Sequence, residues 1–519
     1  MGQVVATPPV VRGSTPLEQT AIPSIGRMRI VKAVVPVDCL DDPAIAESDE
    51  AYVLVDIMIN GNAIESVQRH VADAIVDSEN IVDASNCLLL PGFVNAHTHS
   101  LQILMRGEIG PYPLELWLEQ RYALALKLTP EDVYDACMCN AVETLLSGGT
   151  AVIDHLPLLH GQEMETCAAA FRAYEEVGMR AFVGPLVSDE PADAYNAGIP
   201  KTEFFDRGDL YGDLLTGNTS TDSLLQFLEE GMRRFHQPEK GLNWAIAPTG
   251  LQLCTDVFFK RCAELSEKYN LCQHTHLLET KAQSMLAKEK YNGQSGAAHL
   301  YEIGFLNERT TCAHSVWLEN ADMEAMAKSG CTAVHNPLSN IRLGSGIAPL
   351  IRMWEKGVNV AYGCDGAASN DGQNMLETLK MGTILQNITC ADYRKWPTPI
   401  KTVLCATQGG ARAIHMADKL GMIGVGRLAD VVLYNLADMS LLPFGDPIGK
   451  LILCRPSDRV VRYVWVNGKM VVKNGSVVGC DMDRLKTKLS AFQKMKLHKR
   501  QPSVTERESF YRKAMHIDD

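Results

Sequence analysis

Several ordinary signatures are missing from this 519-residue sequence. No run of apolar residues approaches the 18 needed to cross a bilayer as a helix, which argues against a membrane span. The first 26 residues lack the basic start and apolar core of a secretory signal. They open Met-Gly but carry Ala6 where a myristoylation signal needs Ser or Thr, and are expected to be a flexible leader. The 15 cysteines include no CxxC pair and no even, regular spacing. A disulfide framework is therefore not expected, and a reducing cytoplasm is. There is no excess of basic residues. The net charge of −13 speaks against nucleic acid or an anionic membrane as partner. No GxGxxG follows a strand-like run, which removes the usual signature of a dinucleotide site. No Pro-Cys pair exists, which excludes the zinc deaminases built on H-x-E and P-C-x-x-C.

What is present is a repeated pattern between residues 88 and 415. Eight short apolar runs alternate with amphipathic helical stretches: LLLPGFVNAHTH, TAVIDH, RAFVGPL, NWAIAP, LCQHTHL, TTCAHSV, CTAVHN and VNVAYGCD. The runs are apolar on both faces, as buried parallel strands must be. The stretch after Thr129 keeps Val133, Cys137, Ala141 and Leu145 on one helical face, starts at Pro130 and stops at Gly148-Gly149. The expected fold class is α/β, a (β/α)8 TIM-like barrel over residues 93–419. Both chain ends read as β material: 28–38 and 52–59 at one end, 429–436 and 462–478 at the other, the last with an Asn467-Gly468 hairpin signal. Residues 27–92 and 420–480 are expected to build one small β-sandwich domain. A polar loop over 189–222, with Phe204, Phe205 and Tyr211, and a basic, solvated helical tail over 481–519 complete the chain.

In a barrel the C-terminal strand ends converge on one site. Here the first run ends in His97 and His99, which share a face because i and i+2 point the same way on a strand. The fifth ends in His274, His276 and Glu279, the sixth in His314, the eighth in Asp365. One polar strand end is common. Four on one rim point to a metal site with acid–base groups beside it.

These stretches carry a resemblance. PGFVNAHTHSLQILMRG, LELWL, HTHLLET, CAHSVWL, HNPLSNIRLGSG, GCDGAASNDGQNMLE and GVGRLADVVLYN cover most of residues 28–480. They resemble the amidohydrolase superfamily, in the branch of S-adenosylhomocysteine/methylthioadenosine, guanine and 8-oxoguanine deaminases and triazine hydrolases. The resemblance implies one divalent metal ion, zinc with iron as the alternative, held by His97, His99, His276 and Asp365. His276 is the ligand because the family spacing is HxxE, ending at Glu279; His274 then packs beside or below the site. The two-metal branches use a carboxylated lysine on strand 4, and NWAIAPTG has none, so one metal is expected. Asp365 accepts the proton of the attacking water, Glu279 carries a proton to a ring nitrogen, and His314 hydrogen-bonds the attacking oxygen. Gln102, Trp117, His155 and Asn340 are candidate substrate contacts.

The family's adenosine-type members grip ribose with a glutamate about nine residues after the tryptophan, where this chain has Ala125 and Leu126. Their arginines after strand 3 are also missing. Both departures argue for a small nitrogen heterocycle: a pterin, purine base, pyrimidine or triazine, losing ammonia. The alternatives are an S-adenosylhomocysteine/adenosine-type deaminase, or the same machinery expelling chloride or alkylamine. An inactive scaffold is disfavoured because all six site residues are present. A homodimer or higher homo-oligomer is expected.

Overall fold

The computed structural model describes residues 26–46, 50–72, 80–123, 128–190, 219–454 and 459–496, with Glu508, Tyr511, Arg512, Met515 and Ile517 beyond them. The expected leader, Ala125 and Leu126, most of the 189–222 loop with its three aromatics, and most of the tail after Lys496 lie outside the described residues.

The eight apolar runs all contribute strands: β1 (Phe93–Thr98), β2 (Gly149–Leu156), β3 (Arg180–Pro185), β4 (Leu242–Trp244), β5 (Gln273–Leu277), β6 (Thr310–His314), β7 (Thr332–His335) and β8 (Asn359–Tyr362). They form two parallel sheets of four, in the orders β1-β2-β3-β4 and β5-β6-β7-β8. Every residue of β1, β2 and β3 is buried, which is why these runs show no polar alternation. The sheets meet along two seams. After β4, Ile246 N–H donates to Cys272 O and His274 N–H to Ile246 O, both at 2.9 Å. At the other seam Asp365 N–H donates to His97 O at 2.9 Å, and Cys364 N–H to Asn95 Oδ1 at 2.8 Å. Gly363 permits that approach: a Cβ there would lie 2.8 Å from His97 N and 2.7 Å from Asn336 Nδ2.

Between strands the helices start and stop as their ends dictate. The helix Pro130–Leu146 has a capping box between Thr129 and Asp132 and proline in its first turn. The helix Glu163–Val177 ends on Gly178 in the left-handed conformation.

Both chain ends enter one further sheet of nine strands. The joint is antiparallel pairing of Cys87–Pro91 with Val431–Asn435, with Leu90 opposite Val432. The Asn467-Gly468 turn lies between two of its strands, both residues at positive φ, as a tight hairpin turn requires. The expected small β-sandwich is not confirmed: both chain ends pair within this one hydrogen-bonded sheet. Its long strand Arg27–Pro36 shifts register between Ile30 and Ala33, around Lys32 at φ 60°, and carries Tyr52–Asn60 on one edge and Ile81–Asp83 and Cys87–Pro91 on the other. A bulge of this kind bends and twists one sheet. Alternation in sequence marks the buried face, not the sheet that a strand joins.

The tail helix Met482–Lys496 was expected to be solvated. It is docked instead: Leu485 and Phe492 are buried in the main core, one stripe hidden among lysines. All fifteen cysteines are free.

One buried ion pair ties the nine-stranded sheet to the parallel sheets. Arg180, the first residue of β3, gives Nε–H and an Nη2–H to the two oxygens of Asp430 at 2.8 and 2.9 Å, and Asn467 N–H completes that carboxylate at 2.7 Å. Both side chains are almost wholly buried. Removing one partner strands the other charge, at a cost of about 3–5 kcal/mol. Arg180→Met should therefore lower the melting temperature by several degrees, as read by scanning calorimetry. A melting temperature equal to wild type would show that the pair does not secure this joint.

Candidate metal centre and catalytic groups

The C-terminal ends of β1, β5, β6 and β8 bring six side chains together, all but His276 buried below a tenth of their exposed area. Backbone carbonyls fix two of the rings. His99 Nδ1 lies 2.6 Å from His155 O, and His276 Nδ1 lies 2.6 Å from Thr249 O. A carbonyl only accepts, so each Nδ1 carries the ring proton and each Nε2 presents a lone pair. Those two Nε2 atoms face each other at 3.2 Å. His97 Nε2 stands 3.3 Å and His99 Nε2 3.7 Å from Asp365 Oδ1. Burial pushes His97, His99 and His276 down, His99 to about 3, so these rings are neutral at pH 7.

Lone pairs facing lone pairs and a carboxylate repel unless a cation lies among them. The spacing fits one. Ligand atoms 2.0–2.2 Å from a tetrahedral zinc-like ion stand roughly 3.3–3.6 Å from one another. His97, His99 and His276 form a metal-competent group, as do His97, His314 and Asp365. The donor set, three imidazoles and a carboxylate, suits a divalent first-row ion.

Asp365 is heavily supported. Its Oδ2 accepts from Ser339 Oγ at 2.5 Å and Ser369 Oγ at 3.1 Å, and its Oδ1 from Gly366 N at 2.6 Å. Burial alone would raise this carboxyl; the histidines around it, His97 first, outweigh burial and hold it well below the usual carboxylate range. Glu279 is the opposite case. Burial raises it to about 7, with His314 opposing and Asp365 and Glu115 adding. Its Oε2 lies 3.5 Å from His314 Nε2. His314 Nδ1 lies 2.9 Å from Asn340 Oδ1, and its backbone N–H donates to Asn336 Oδ1 at 3.1 Å.

His314 and Asp365 have left-handed φ of 71° and 65°, and Leu278, next to Glu279, 47°. Non-glycine residues adopt that region at a cost, and only where the surroundings over-determine it.

The other candidates are distributed around this cluster. Trp117 is buried in an apolar group with Met105, Ile109, Leu114, Leu343 and Ala368, on the segments that follow β1, β7 and β8. Asn340 orients His314. Gln102 is buried against the backbone at Gly366, where a Cβ would lie 2.0 Å from its Oε1. His155 lies beside His99 and His276, with Nε2–H on Ala247 O at 3.1 Å, and its own carbonyl holds His99. Sequence reasoning missed Ser339, Ser369, Asn336 and the Thr249 carbonyl. The first three stand inside the quoted HNPLSN and GAASND stretches, so a signal existed; a backbone carbonyl leaves none.

The amidohydrolase family model matches residues 88–471. The chain belongs to the amidohydrolase family. It is 32% identical over 439 residues to a 5-methylthioadenosine/S-adenosylhomocysteine deaminase of Syntrophobacter fumaroxidans, spanning 82% of this chain and 90% of that one. A protein of the same description from Archaeoglobus fulgidus is 31% identical, over 84% of this chain and 93% of its own. An adenosine deaminase from Xanthomonas campestris with bound zinc superposes with a TM-score of 0.76 at 25% identity, over 90% of this chain and 98% of that one. Atrazine chlorohydrolase from Arthrobacter aurescens, complexed with zinc, reaches a TM-score of 0.78 at 24% identity, over 90% and 99%, a likeness of fold. These amidohydrolase neighbours imply a TIM barrel, and the chain has two four-stranded parallel sheets. No described helix is long and apolar enough to cross a membrane.

An ion that binds the folded site and not the unfolded chain stabilises the fold. Chelation should therefore lower the melting temperature, and one equivalent of zinc should restore it. A melting curve indifferent to chelator and zinc would contradict the metal assignment.

Proposed function

We propose that this amidohydrolase is a mononuclear metal-dependent aminohydrolase, with His97, His99, His276 and Asp365 holding one zinc ion and a small amino-heterocycle losing ammonia. The observation that carries the reading is the pairing of two buried carboxyl groups with opposite protonation, Asp365 ionised and Glu279 near 7, beside converging imidazole lone pairs. A bound divalent ion supplies Lewis acidity that brings the pKa of water towards about 7. Asp365, ionised and held by three donors, accepts the proton of the attacking water. Glu279 gives its proton to a ring nitrogen and so makes the adjacent carbon electrophilic. His314 gives Nδ1–H to Asn340, so its Nε2 accepts a hydrogen bond from the water and keeps it in line. Asp365 returns its proton to the departing ammonia, and as the C–N bond breaks and the carbonyl forms, the hydroxyl proton of the adduct passes to Glu279 and restores it. Trp117 and its apolar neighbours provide a dry shelf for a planar ring.

A second reading follows from the relatives: 5-methylthioadenosine or S-adenosylhomocysteine as substrate. The departures at Ala125 and Leu126 and after β3 weigh against it, because ribose hydroxyls buried without partners cost about 1–3 kcal/mol each.

An ammonia-release screen over guanine, 8-oxoguanine, cytosine, pterins, aminotriazines, adenosine, methylthioadenosine and S-adenosylhomocysteine separates the readings. Turnover of a free heterocycle well above the nucleosides supports the first, and the reverse order replaces it with the second. Glu279→Gln should keep its metal and lose about a hundredfold or more in kcat/KM; turnover close to wild type would remove Glu279 from the mechanism. The pH profile has a definite sign. A carboxyl raised to about 7 holds its proton below that value and loses it above. With Glu279 as the acid, kcat/KM should fall as pH rises through about 7. An activity that instead climbs through this range would make Glu279 a base.

A further inference from the structure

His274 is buried, occupies none of the ligand or acid–base positions just described, and makes a hydrogen-bond chain whose direction follows from the Thr311 hydroxyl giving its one hydrogen to Gln273 O. Thr311 Oγ1 has a single hydrogen and gives it to Gln273 O at 3.0 Å. Towards His274 Nδ1, 2.5 Å away, the same oxygen accepts, so His274 carries its proton on Nδ1. Its Nε2 is then a lone pair. His97 Nδ1 lies 2.8 Å from that Nε2 and must donate to it. The other nitrogen of His97, Nε2, is left as a lone pair facing Asp365 Oδ1 at 3.3 Å. The 2.8 Å contact is a hydrogen-bond length, shorter than the roughly 3.3 Å between two ligands of one tetrahedral ion, so His274 supports the centre from behind rather than entering it. Strand register sets the chain: His274 on β5 lies directly opposite Thr311 on β6.

We infer that His274 is a positioning residue that, with Thr311 behind it, fixes the ring and tautomer of His97 for metal binding. It differs from the supports of the other two rings. His99 and His276 lean on the carbonyls of His155 and Thr249, which no side-chain replacement deletes. His97 depends on a side chain, so this ligand alone among the three can be loosened by substitution outside the ligand set. A neutral imidazole also adds no charge behind the site, where a carboxylate would add one.

The inference rests on the reading of His97 as a metal ligand. The test measures zinc affinity by competition with a chromophoric chelator, and the visible spectrum of the cobalt(II)-substituted protein. The proteins compared are wild type, His97→Ala, His274→Phe, His274→Gln, Thr311→Val and Thr311→Ser. His274→Phe should bind zinc 10–100-fold more weakly, with an altered cobalt spectrum. His274→Gln, whose carbonyl can accept from His97 Nδ1–H, should recover most of the affinity. Thr311→Val frees His274 to take the opposite tautomer and should weaken binding, and Thr311→Ser should restore it. Wild-type affinity and spectrum in His274→Phe would overturn the inference. If His274→Phe fails to fold, wild-type affinity in Thr311→Val overturns it. Zinc binding by wild type that survives in His97→Ala would instead sink the ligand reading, whatever His274 does.

Discussion

Repulsion among buried lone pairs governs this molecule's centre. The Nε2 atoms of His97, His99 and His276 and the ionised Asp365 converge in a space from which water is largely excluded, and their ring protons are committed elsewhere. Neutral imidazoles that point acceptors at each other gain nothing unless a cation joins them. The arrangement therefore stores its purpose in its hydrogen bonds: each outward N–H is satisfied so that each inward nitrogen is bare.

The rest of the fold holds that arrangement in place. Parallel strands deliver side chains to one rim at their C-terminal ends, and the seam between β1 and β8 sets Asp365 beside His97 through a backbone hydrogen bond. Left-handed turns at Leu278, His314 and Asp365 aim the groups that follow the strands. Arg180, at the N-terminal end of β3, and Asp430 join the nine-stranded sheet to the parallel sheets. The two buried carboxyls of the site differ because their surroundings differ. Asp365 has the imidazoles of His97, His314 and His99 against it, which outweigh its burial; Glu279 has burial and nearby carboxylates. In the proposed mechanism one takes a proton and the other gives one.

Much of this was legible in the sequence because periodicity carries geometry. The i, i+2 spacing of His97 and His99 put both rings on one face, and the eight apolar runs fall on the eight strands. The resemblance chose His276 over His274 by its spacing to Glu279, and the structure gives the two rings different partners. What stayed hidden was of another kind. Tautomers depend on partners in other strands: Thr311 for His274, Asn340 for His314, the Thr249 carbonyl for His276. The register shift around Lys32 in the long strand of the nine-stranded sheet is announced by no alternation pattern. The docked tail helix carries its apolar stripe at Leu485, Leu489 and Phe492, sparse enough among charges to read as a solvated face.

The central claim is one ion held by three imidazoles and one carboxylate. X-ray absorption at the zinc edge of the purified protein tests it most directly. The account predicts four nitrogen or oxygen neighbours at about 2.0–2.2 Å, with outer-shell scattering from three imidazole rings. A sulfur neighbour at about 2.3 Å, or a second metal at roughly 3.5–4 Å, would contradict it.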